Sequence, residues 1–397
     1  MADPIKTITL KDGTKRYRFV VDIGRDPITG KRQQKTYTFD KKGKATKELN
    51  RIRHQTSEGT YVKPSKETVS DYIDSYLKGA TRGKEESTKS NYAAAFRCVR
   101  ERIGHLPLQR ISKGDVEDLV DFMLTKGRKR GGKVGTPLSA RSVQLTLGRL
   151  TAALEMAVLE GKLVRNVAKL VETPKNDQEE REPWSKDEVH AFLGVVQQHR
   201  LHAAWRLSLY GLRRAEVLGL RWEDIDLKAK TLAVVQTRVL VDYRVIVKKP
   251  KSKNSVRTLP LDDELVAALT ALRKLQSKES EDAGDAYRSE LDGLGWYDGG
   301  EYVVIDELGT PFHPEWYSDE FGRILRPAGV RRITLHDSRH TTLTLMEHAG
   351  VPISVISRWA GHYDPSFTYK KYVHANDDDL AQGAETLAQV YKIKKAV

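Results

Sequence analysis

At 397 residues the chain is longer than one hydrophobic core sustains, so two or three domains are expected. Its 39% hydrophobic content and mean hydropathy of −0.55 describe a soluble globular protein. No apolar run approaches the roughly 18–20 residues of a membrane span, and the polar start MADPIKTITLKDG is no signal peptide. A single cysteine, Cys98, excludes an internal disulfide framework and a Cys-based zinc site, which makes the cytoplasm the expected compartment. The net charge of +14 is carried entirely by residues 1–175, the remainder being mildly acidic. A basic half of this kind suits a polyanion partner, because each neutralised phosphate releases counterions.

Residues 1–62 read as a small β-rich module. Strands are expected over Ile5–Leu10, Tyr17–Asp22 and Gln33–Phe39, around the turns KDGT and Asp26–Gly30, and a helix over Ala45–Thr56 with Leu49 and Ile52 on one face. Arg16, Arg18, Lys31, Arg32 and Lys35 could give this three-stranded sheet a cationic face for a DNA groove. Residues 59–65 read as a linker, and residues 66–174 as a helical bundle. Val69, Tyr72, Ile73, Tyr76 and Leu77 recur at helical spacing. Asn91–Ile103 reads as a second helix, Lys113–Thr125 as a third entered through Ser112, and Ser139–Gly161 as the longest, striped by Val143, Leu147, Leu150, Leu154 and Val158. The lysine- and glycine-rich Lys126–Gly135 between the last two is expected to be flexible and close to phosphates.

A charged hinge, Lys175–Glu182, leads into a third region, 180–397, expected to be mainly helical with a strand-rich insert near 229–261. There Lys230–Leu240, Tyr243–Lys248 and Ser255–Leu261 read as antiparallel strands, and the acidic Ser277–Tyr302 as a surface loop without assigned function. No internal repeat is apparent.

This region spaces Arg213, Lys251, His336, Arg339, His362 and Tyr372 in an order that suits attack on a phosphodiester. A phenol that attacks phosphorus keeps the phosphoryl group as an ester while a 5′-hydroxyl leaves. Two guanidiniums, Arg213 and Arg339, offer permanent charge and planar donor forks to the non-bridging oxygens. Neither ATP nor a metal is needed if the protein supplies that charge. His336 and Arg339 lie three apart, on one face of a helix, so an imidazole could shuttle protons beside a phosphate clamp. The leaving oxygen needs a proton, which a lysine on a mobile hairpin can give. Arg214 competes with Arg213 for its role, and Lys248, Lys249 and Lys253 compete with Lys251.

The segments Arg213–Glu216, Lys251–Pro260, His336–Thr341 and Gly361–His374 resemble the signature of the tyrosine recombinases, in particular phage-type integrases. The resemblance implies that the arginine directly after Gly-Leu, Arg213, is catalytic and that Glu216 orients it. It implies a general acid at Lys251, a phosphate contact or tyrosine-positioning role for His362, and the nucleophile ten residues after that histidine and followed by x-His. Tyr372 meets both conditions, unlike Tyr363 or Tyr369. Ala360 departs from the leucine common before Gly-His.

The fold implied is multidomain: a β-rich arm-binding module (1–62), an all-α core-binding bundle (66–174) and a mainly α catalytic domain with a small antiparallel sheet (180–397). The resemblance further implies a homotetramer that exchanges strands through a Holliday junction between core-type and arm-type attachment sites in double-stranded DNA. An excisionase and a DNA-bending host factor are compatible partners. Beyond the nucleophile, a helical pattern through Leu380, Ala384, Leu387 and Tyr391 is expected to dock on a neighbouring subunit. Two other readings stay open at this level, a type IB topoisomerase-like enzyme and a non-catalytic DNA-binding regulator.

Overall fold

The computed structural model describes residues 3–25, 32–58, 60–129, 132–176, 182–250, 253–289, 291 and 295–362. Lys31, Lys251, Tyr372 and the carboxyl-terminal helical pattern lie outside them. The chain divides into two compact units, Met1–Gln178 and Glu179–Val397.

The first unit contains two separate cores. In the leading one, β1 (Lys6–Thr9), β2 (Lys15–Arg25) and β3 (Arg32–Phe39) form an antiparallel sheet in the order β1-β2-β3. Alternation puts Phe19 and Val21 of β2 on the inner face, where Phe19 stacks on Tyr37 and Phe39. Helix α1 (Lys42–Ser57) covers that face with Ala45, Leu49 and Ile52. The outer face is left with Arg16 and Arg18 of β2, Arg18 opposite Lys6 and Thr38. Lys35 stands opposite Val21, on the helix side, with its ammonium over the Tyr37 ring. It therefore does not extend the outer cationic face. Arg32 pairs with Asp22 at 2.6 Å.

Five helices follow: α2 (Val69–Ala80), α3 (Glu86–Ala95), α4 (Arg97–Ile103), α5 (Lys113–Lys126) and α6 (Ala140–Leu159). Thr68 with Asp71, and Ser112 with Asp115, close reciprocal hydrogen bonds that satisfy the first free N–H groups of α2 and α5. The α6 stripe Val143, Leu147, Leu150 and Leu154 is buried as its spacing predicts. The helix expected over Asn91–Ile103 is instead two, α3 and α4. Buried Phe96 between them takes φ −86°, ψ 0°, a bridge conformation that interrupts the α ladder.

The second unit opens with α7 (Lys186–Val196), capped by Ser185 and Glu188, then α8 (His202–Leu209) and the short α9 (Arg214–Gly219). Strands β4 (Ile225–Asp226), β5 (Thr231–Val234), β6 (Thr237–Val241), β7 (Arg244–Lys248) and β8 (Arg257–Pro260) come next. They form two sheets, β4-β5-β8 and the hairpin β6-β7. The single strand expected over Lys230–Leu240 is therefore broken at Val235–Gln236, where Gln236 donates to the Gly219 carbonyl.

The hairpin is held by Arg238, which is fully buried on β6 and donates to the carbonyls of Leu218, Pro311 and Phe312. Its guanidinium lies against Trp296 and Tyr302, and burial pushes its pKa down to about 10.

Helix α10 (Asp263–Ala283) runs on through Ser277–Ala283, a stretch expected to be loop. The unit's described part ends with α11 (Pro314–Ala328), α12 (Leu335–His348) and α13 (Ile353–Ala360). Trp184, Phe192, Trp205, Tyr317 and Phe321 pack at its centre. No helix of the described residues is long and apolar enough to cross a membrane.

Candidate active site

Arg213 occupies the N-cap position of α9 in extended backbone conformation. Gly211 before it has φ +86°, the left-handed geometry that lets the chain turn from α8 into α9. Arg213 donates to Glu216 twice, through its backbone N–H (2.8 Å) and through Nη1 (2.7 Å), and its Nη2 lies 3.4 Å from the Gly361 carbonyl. Its side chain remains 33% exposed, whereas that of Glu216 is 1% exposed. Arg214 turns away to Ser318 and the Pro314 carbonyl, which leaves Arg213 as the arginine of this pair that faces Glu216.

Arg339 reaches the same place from α12. That helix is capped by Thr334 and Asp337, and places His336 at its exposed start and Arg339 in the interior. The Arg339 guanidinium, 2% exposed, donates to the carbonyls of Gly211 and Ala360 and comes within 4.0 Å of Glu216 Oε2. His336 makes an edge contact with His340, their ring centres 4.6 Å apart. The two α12 residues thus differ in depth, with the histidine at the surface and the guanidinium beneath it.

The third approach comes from α13. Gly361 ends this helix in the left-handed conformation, with φ +62°, and His362 follows with its N–H on the Ser357 carbonyl at 3.1 Å. His362 is half-buried, and its pKa falls to about 4. Burial is the first cause, followed by the charges of Arg339, Arg213, His340 and Arg257. At neutral pH the imidazole is therefore uncharged.

Arg257 of β8 was not singled out by sequence, yet all three of its guanidinium nitrogens are engaged here. Its Nη1 and Nη2 grip the two oxygens of Glu216 at 3.1 and 3.0 Å, and its Nε donates to the Trp359 carbonyl at 2.6 Å. One buried carboxylate thus faces three guanidiniums. Burial pushes the Glu216 pKa up, but the Arg257 hydrogen bonds and the charges of Arg257 and Arg213 prevail and hold it below the usual carboxylate range. Three cations against one anion leave a surplus positive charge, suited to an incoming phosphate or a developing phosphorane. The structure brings together Arg213, Glu216, Arg339 and His362, with His336 at the rim of α12. Lys251 and Tyr372 fall outside the described residues. Among those residues no group of three or more metal-ligating side chains occurs.

Three family models match the chain in succession: an arm DNA-binding domain over residues 5–56, a phage integrase SAM-like domain over 68–173, and the phage integrase family over 184–379. The chain belongs to the phage integrase family. It is a tyrosine recombinase, an enzyme that transfers DNA strands at specific sites. The tyrosine recombinase XerC-like protein of Caldanaerobacter subterraneus is 28% identical over 97% of this chain and 99% of its own length. The integrase of transposon Tn1549, solved with a circular intermediate DNA, aligns with a TM-score of 0.65 at 20% identity, over 81% of this chain and 99% of that one. The λ integrase tetramer on a Holliday junction aligns at 0.55 with 19% identity, over 94% and 97%. These two likenesses concern the fold.

Proposed function

We propose that this integrase cuts and rejoins DNA through a 3′-phosphotyrosine on Tyr372. The phenolic oxygen attacks phosphorus and the 5′-oxygen leaves with a proton from Lys251; the 5′-hydroxyl of the incoming strand then reverses the step. Arg213 presents its partly exposed fork to a non-bridging oxygen, and Arg339 supplies charge from beneath. His362 donates or accepts at the phosphate as the charge changes, and His336 exchanges protons at the rim. The observation that carries this reading is the cluster of Arg213, Arg257 and Arg339 around the buried Glu216, with His362 beside it.

In this reading residues 1–62 bind arm-type sites, while 66–174 and 180–397 clamp the core-type site. Each subunit is then bivalent, and the linker sets the effective concentration of the second contact. Assembly as a homotetramer on a Holliday junction is supported by the likeness to the λ integrase tetramer. The reaction takes place in the host cytoplasm, at the nucleoid, where an excisionase and a DNA-bending host factor set direction.

The test uses a nicked duplex whose cleaved strand loses its 5′-hydroxyl fragment by diffusion, trapping the covalent intermediate. The full chain should form a DNA adduct that maps to Tyr372, and Tyr372→Phe should form none. Absence of any adduct would indicate a DNA-binding regulator, and relaxation of DNA without site preference a topoisomerase.

A further inference from the structure

Glu216 receives more than the orientation of Arg213 requires. One arginine, reaching it twice, would suffice for that, yet Arg257 covers both carboxylate oxygens as well. All three nitrogens of Arg257 are engaged, since Nη1 also donates to the Ser255 carbonyl and Nε to that of Trp359. At 5% side-chain exposure this guanidinium is sealed from an incoming phosphate. Its contacts instead join β8, α9 and the end of α13.

The same place is where the turn Lys253–Ser255 meets the segment after α13. Ser255 Oγ lies 3.4 Å from the Gly361 carbonyl and Asn254 Nδ2 lies 3.5 Å from that of His362. A Cβ on Gly361 would sit 3.0 Å from both Arg257 Nη1 and the Asn254 carbonyl, so any side chain there would press on the turn and on Arg257. Arg257 therefore lies between the turn that follows Lys251 and the segment that leads to Tyr372.

We propose that Arg257 is a positioning residue for strand transfer. It locks the Glu216 carboxylate in the orientation that aims Arg213 at the scissile phosphate, and it sets Gly361–His362 against the turn downstream of Lys251. The inference rests on Arg213 being the phosphate clamp. Without Arg257, the carboxylate would rotate to share Arg213 and Arg339 more fully and draw both away from the phosphate.

A pH profile separates this role from mere support of the fold. The charged groups facing Glu216 are Arg213 from the N-cap of α9, Arg257 from β8 and Arg339 from α12; His340 and His362 stand next to them. Burial drives the carboxyl toward the neutral form and Arg257 is the largest force opposing it. Removing Arg257 should let Glu216 take a proton at higher pH, and a neutral carboxyl releases Arg213.

The experiment measures single-turnover cleavage by the full chain, from about pH 5.5 to 8.5, on a nicked duplex containing the core site located by footprinting. Arg257→Met should slow cleavage about 100-fold at neutral pH, the loss typical of a catalytic group displaced by about an ångström. DNA affinity should stay within about threefold, and the acid limb of the profile should move to higher pH. Arg257→Lys, which keeps the charge without the fork, should restore the limb and only part of the rate. Combining Arg257→Met with Glu216→Gln should be no slower than the slower single variant, because the two act as a unit.

A parental rate in Arg257→Met overturns the proposal, as does a loss with an unmoved acid limb that multiplies with Glu216→Gln. Should Arg257→Met not fold, Arg257→Lys decides: a parental rate overturns the proposal and a partial rate with a parental limb supports it. A parent chain that forms no adduct refutes the proposed function and this inference with it; a parental adduct indifferent to Arg257 refutes the inference alone.

Discussion

Replacing Glu216 by glutamine would leave the shape of the site and remove its one buried negative charge. Arg257 and Arg339, with side chains 5% and 2% exposed, would then face each other without a counter-charge. Breaking a buried ion pair from one side costs about 3–5 kcal/mol, because the remaining charge stays desolvated. For a domain of this size each kcal/mol lowers Tm by about 2–4 °C, so the catalytic-unit transition of Glu216→Gln should fall by roughly 6–20 °C. A phosphate entering the nest would replace part of the missing charge. The deficit should therefore shrink when core-site DNA is bound.

The sign of the pH dependence follows from the depressed carboxyl pKa. The stabilisation is fully present above the ordinary glutamate value and is lost as pH falls through the lower folded value, so parent and variant should converge in acid. Differential scanning calorimetry of the full chain, with and without DNA, measures both effects. A Tm within 2 °C of the parent, or an equal deficit in the presence of DNA, would refute the reasoning.

Four further outcomes are expected. His362, with its pKa held near 4, should make the fold less stable as pH drops from about 6.5 toward 4, and His362→Gln should flatten that slope in urea titrations. Binding of phosphate beside it should raise this pKa, so calorimetry of DNA binding near pH 5 in buffers of different ionisation enthalpy should show proton uptake that His362→Gln removes. Gly361→Ala should be destabilised by about 1–2 kcal/mol from the left-handed backbone alone. Its Cβ would also press on Arg257, so cleavage should fall more than DNA affinity does. Arg16→Ala and Arg18→Ala on the outer face of the leading sheet should each weaken arm-site binding and reduce the salt slope by about one, while Lys35→Ala, on the helix side, should change it less.

What could be read from sequence was whatever local chemistry dictates. Thr68, Ser112, Ser185 and Thr334 each precede an acidic residue by three and each start a helix, and the α6 stripe buries as its period requires. Gly211 and Gly361 mark the turns that aim Arg213 and His362. What escaped was set by tertiary contacts. Nothing between Lys230 and Leu240 punctuates the run of β-formers, and its division into two sheets depends on Gln236 meeting Gly219 and Arg238 meeting Leu218. Phe96 looks like any core position of a continuous helix, and no glycine or proline beside it announces the bridge conformation it takes.

Arg257 was visible only as part of the pattern that locates Lys251. The available signal was its alternation with Leu259 on the inward side of a short strand. An arginine there requires buried acceptors, and Glu216, on the apolar side of α9, was available to provide them.

Arg238 has a consequence for recombinant variants. Its charge is solvated by three carbonyls and two aromatic rings contributed by residues 218, 296, 302, 311 and 312, all outside the β6-β7 hairpin. Grafting that hairpin from another integrase would strand the graft's own inward residue in a socket shaped for a guanidinium. A workable chimera has to exchange the socket together with the hairpin, because the hairpin's one buried charge is satisfied entirely from outside it.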